Sequence, residues 1–130
     1  MRTRLIAVIA VLGLSAFALA GCSTQARAER KGKSAGDQIC HAKNAHNAND
    51  AERHIRSAND KLDDLARFTG RDVREDVRDL DRNLNQMSRG NASNQDVSAI
   101  VRSVQEARKS STGNTQAAYD GILEALASCD

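Results

Sequence analysis

Proline and tryptophan are absent from this 130-residue chain, and its three aromatic side chains are Phe17, Phe68 and Tyr119. A core therefore has to be assembled from Leu, Ile, Val, Met and many Ala. Small aliphatic residues with no proline suit close-packed helices better than a sheet, which draws on aromatic and β-branched residues. The chain also lacks a nucleophile elbow, a phosphate loop, a Cys-x-x-Cys pair and an Asp-rich calcium loop, so no catalytic residue is assigned and an enzyme is the least expected class. Excess positive charge is missing from most of the chain. From residue 36 onward 16 acidic residues outnumber 13 basic ones, which argues against a nucleic-acid-binding domain.

The first residues have a distinct grammar. Arg2 and Arg4 precede an uncharged run over residues 5–20, LIAVIAVLGLSAFALA. That run is longer than a typical export h-region and shorter than the roughly 20 apolar residues of a spanning helix. Its last two residues open the stretch Leu19-Ala20-Gly21-Cys22. This resembles the lipobox of bacterial lipoproteins: Leu, a small residue, Gly or Ala, then Cys. The resemblance implies cleavage before Cys22, addition of a diacylglycerol thioether to its sulfur, and a mature protein held by lipid on the extracytoplasmic side of a cell membrane or outer membrane. Ala18-Leu19-Ala20 is also an acceptable site for ordinary secretion, which would leave Cys22 a plain thiol, and a third reading keeps the whole segment as an uncleaved anchor. Residues 1–21 are read as a signal peptide.

Residues 22–35 follow as anchor and linker. The stretch STQARAERKGKSA has no large apolar side chain and sets Arg27, Arg30, Lys31 and Lys33 against Glu29. It reads as a flexible, solvated, basic linker. Its cations either touch anionic head groups or serve hydration alone.

Residues 36–130 read as an all-α domain. Ala48, Ala51, Ile55, Ala58, Leu62 and Leu65 recur in steps of three and four, one face of a helix. Asn49 and Glu52 offer it a capping box, so it starts near Asp50 or runs unbroken from Asp37, and Gly70 ends it. Val73, Val77, Leu80, Leu84 and Met87 mark a second helix over 72–89, stopped by Gly90. Ser93-Asn94 caps a third carrying Val97, Ile100, Val101, Val104 and Ala107. After Gly113, Asn114 or Thr115 starts a fourth, with Ala118, Ile122, Leu126 and Cys129 on one side. Short loops favour antiparallel neighbours, so a small antiparallel bundle of four helices is expected, or of three with a long first helix.

With Cys22 assigned to lipid, Cys40 and Cys129 form an even pair in an oxidising compartment, and a disulfide between them is expected. A first helix unbroken from Asp37 would carry Cys40 past the end of the bundle, so the bridge needs a break within 44–50 or irregular packing. His41, His46 and His54 do not share a helix face. Cys40, His41 and His46 are the only candidates for a metal site, and no cofactor is expected. The reading that follows is a non-catalytic, lipid-anchored interaction module of the cell envelope. Its partners are membrane lipid, through acylated Cys22, and an envelope protein; nucleic acid is not among them. A structural envelope spacer and a metal or small-ligand carrier are the alternatives.

Overall fold

The computed structural model describes residues 24–90 and 92–129; the signal segment and Cys22 lie outside them. Among the described residues the fold is all-helical, with no strand. Helix α1 is continuous from residue 24 to residue 43. For residues 24–35 this corrects the expectation of a flexible linker; residues 22 and 23 lie outside the described residues. Ala28, Ala35, Ile39 and Ala42 are buried, and Gly32 and Gly36 are buried between them. These residues return every three or four positions, so the stretch has an inward face after all. The face is made of small side chains, which is why it reads as solvated linker.

After a break at 44–47, α2 runs over Ala48–Thr69. Asn47 is its cap and accepts from the Asp50 backbone N–H at 2.8 Å, two residues earlier than the expected Asn49 box. Gly70 closes it at φ 77°, donating its N–H to Ala66 O at 2.8 Å. The expected second helix is split into α3 (Val73–Asp76) and α4 (Leu80–Ser88). Asp79 sits between them at φ 61°, a left-handed geometry that Asp tolerates better than most residues. Val77 and Leu80 flank the break and both stay buried, so the stripe survives the loss of helical continuity. Helix α5 (Asn94–Lys109) has the Ser93–Asp96 capping box, and α6 (Gly113–Ala127) follows from Thr112. Among the described residues the bundle thus has six helical segments where four were expected.

Directions follow from who meets whom. Lys31 reaches Asp64 and Gln38 reaches His54, so α1 and α2 are antiparallel. Gly32 faces Ala118, and Gly36 faces Ile122 and Ala125, so α1 and α6 run parallel. Helix α2 packs on α4, α4 on α5, and α5 on α6. The first helix therefore closes the bundle against the last. One end carries residue 24, Gly70 and the α5–α6 turn. The other carries the 44–47 break, the Gly90 turn and Cys129.

The α1–α6 seam is backbone against backbone. A Cβ at Gly121 would fall 1.9 Å from Glu29 O, and one at Gly32 would fall 2.1 Å from Ala118 O. Only glycine permits that approach. The rest of the core is conventional. Leu62, Leu65, Leu80, Leu84, Met87 and Ile100 are at most 1% exposed and interlock as bulky aliphatics.

Candidate functional site

Three places bring chemically interesting side chains together. At the end holding the 44–47 break, Cys40 and Cys129 stand at disulfide distance, with Cα atoms 5.4 Å apart. The break supplies the geometry the sequence required, by ending α1 just past Cys40. The cysteine adjoins α6 through the parallel seam rather than through the start of α2.

The histidines lie near the same end. The His41 and His54 rings meet edge to face with centroids 5.2 Å apart. His54 Nδ1 is 3.0 Å from Gln38 Oε1, and its Nε2 is 3.8 Å from Asp50. His46 is exposed in the break. The expected candidates Cys40, His41 and His46 are not gathered, because Cys40 is buried beside Cys129 and both imidazoles are on the surface. Among the described residues no group of three or more His, Cys, Asp or Glu is placed to hold a metal ion.

At the opposite end, α1 and α2 enclose a cleft of about 600 Å³ lined by Arg27, Arg30, Lys31, Ser34, Lys61, Asp64 and Phe68. Lys31 donates to Asp64 at 2.6 Å. That hydrogen bond, with the Lys31 charge, holds the exposed Asp64 carboxyl below its usual range; Arg67 and Lys61 act in the same direction. The Lys31 ammonium also lies 5.5 Å from the Phe68 ring centroid. Arg27, Arg30 and Lys61 form no hydrogen bond or ion pair with any described residue. The sequence marked three of these cations as linker charges; it did not show that α2 brings Lys61 and Phe68 to them.

Beside the α5–α6 turn, a smaller cleft of about 300 Å³ has Tyr119 at its base, with Arg71, Asp76 and Thr115 among its walls. The Tyr119 hydroxyl is fully buried without a hydrogen-bond partner. Burial pushes the phenol up to about 12, and Asp76 adds to the effect. Ser111 acts in the opposite direction, but its hydroxyl is committed to Ala107 O at 2.7 Å.

No helix among the described residues is long and apolar enough to cross a membrane. Comparison with known protein families, curated proteins and solved structures finds no match to this chain.

Proposed function

We infer that this chain is a bacterial envelope lipoprotein whose helical bundle is a non-catalytic interaction module. The observation that carries the reading is Leu19-Ala20-Gly21-Cys22 following Arg2, Arg4 and a 16-residue uncharged run. Each part matches the export grammar in order. Acylation of Cys22 places the bundle on the extracytoplasmic face of the membrane. The Cys40–Cys129 pair supports the same reading, since disulfides persist in oxidising compartments. The module's partner is an envelope protein.

Intact mass spectrometry of the protein taken from a membrane fraction tests the anchor. The expected species starts at Cys22, carries lipid, and is lost in Cys22→Ala. An unmodified soluble chain overturns the reading. Cross-linking in membranes followed by identification of the trapped protein tests the interaction role, and the absence of any reproducible adduct removes that part.

A further inference from the structure

Most guanidinium groups on this bundle already have a carboxylate. Arg53, Arg56, Arg71, Arg74, Arg82 and Arg108 all form ion pairs. Arg67, Arg89 and Arg102 lack such a pair as well, so what sets the α1–α2 cleft apart is that several unpaired cations line one opening. Arg27, Arg30 and Lys61 converge on it unpaired, and its single carboxylate, Asp64, is taken by Lys31. Like charges held together repel, so folding alone gains nothing from the arrangement. An anion in the cleft would relieve it, and the Phe68 ring offers an apolar wall beside the charge.

We propose that this cleft takes the phosphate headgroup of an anionic phospholipid and seats the bundle directly on the membrane. The proposal rests on the reading of Cys22 as the acylated residue. Its physical basis is the correction to α1. A flexible 22–35 segment would let the bundle wander by about 20 Å. With helix present from residue 24, only Ser23 separates Cys22 from α1. Two residues span at most about 7 Å, and Arg27 lies one helical turn, about 5 Å, further on. The cleft thus begins within reach of the headgroup layer, on the order of a screening length from the anchor. The chemistry, cations around an apolar edge, is that of an interfacial phosphate site. Each basic side chain at an anionic surface strengthens docking about fivefold, so three give on the order of a hundredfold.

Lysine acetylation of the full lipidated protein, reconstituted in vesicles and read by mass spectrometry, tests this. With phosphatidylglycerol in the vesicles, Lys61 is expected to react about fivefold or more slowly than in phosphatidylcholine alone. Lys43 at the opposite end and Lys109, at the same end outside the cleft, should keep their rates. Arg27→Gln with Arg30→Gln should abolish the protection, and Asp64→Asn, which frees Lys31, should enlarge it. Both Arg positions are exposed and unpaired, so these variants leave the fold intact. Equal Lys61 rates in the two vesicles overturn the proposal. So does equal slowing at Lys109, which reports a general surface effect, or protection in phosphatidylcholine by sodium phosphate alone, which reports a free-anion site. A mass spectrum without lipid overturns the anchoring reading; a lipidated chain whose Lys61 does not respond overturns only the cleft.

Discussion

The α1–α6 seam and the α2–α5 body are cores of opposite kinds. The body excludes water with bulky aliphatics, and its stability grows with the apolar area removed from solvent. The seam buries little side-chain volume and gains from the close approach of two backbones, where many weak contacts accumulate. The body tolerates trimming at a graded cost. The seam tolerates no added atom at Gly32 or Gly121.

The sharpest way to break the contrast is Gly121→Val. Its Cβ would overlap Glu29 O, and neither helix backbone can step aside cheaply. The cost should exceed the roughly 1–3 kcal/mol of ordinary overpacking and release α1. Hydrogen exchange should then show residues 24–43 unprotected while α2, α4 and α5 stay protected. Global loss of protection would mean that the seam and body are one cooperative unit. Removing the cysteine pair with Cys40→Ser and Cys129→Ser comes next. The pair closes a span of 89 residues, worth about 4–5 kcal/mol in the chain-entropy account. The loss should appear in denaturant midpoints, and reductant should reproduce it in the wild type.

Leu62→Ala, in the body, should cost about 3 kcal/mol and lower protection across the helices without singling out α1. Tyr119 gives the smallest and most specific effect. Its folded-state phenol is raised to about 12 from the ordinary 10.0, so the folded state favours the neutral form. The associated stability is complete below pH 10 and is lost as pH rises toward 12, up to about 2–3 kcal/mol. Tyr119→Phe should remove this alkaline component in urea titrations at successive pH values. At neutral pH it should be neutral or stabilising by about 1 kcal/mol, because an unpartnered buried hydroxyl is deleted.

The two regions also differ in how far they could be read. Ile55, Leu62, Leu65, Leu84, Ile100 and Val104 announce their helices because large apolar residues at helical spacing have no other use. Ala28, Gly32, Ala35 and Gly36 share that spacing, but alanine and glycine carry little hydropathy, and Arg27, Arg30 and Lys31 interrupt them. A search for small residues at helical spacing would have found α1; a search for apolar ones cannot. The split at Val77–Asp79 was hidden for the reverse reason: both halves contribute to one buried stripe, so the pattern is continuous where the backbone is not. The cleft was half legible. Its α1 cations stood out as a charge run, whereas Lys61 and Phe68 sit on the flank of α2 and join them only through tertiary packing. The cysteine pair was easier, since with Cys22 set aside parity alone points Cys40 to Cys129.

The parallel pairing of α1 with α6 also sets an order of events. A chain that emerges N-terminus first presents α1 long before Gly121 exists, so the seam stays open until α6 has been made. Contacts this far apart in sequence form late and slowly. Most waiting segments would expose adhesive surface in the interval. Here the waiting face is largely Ala and Gly, with Ile39 as its one large side chain. The nascent helix can therefore wait in water with little tendency to stick until α6 follows and latches it.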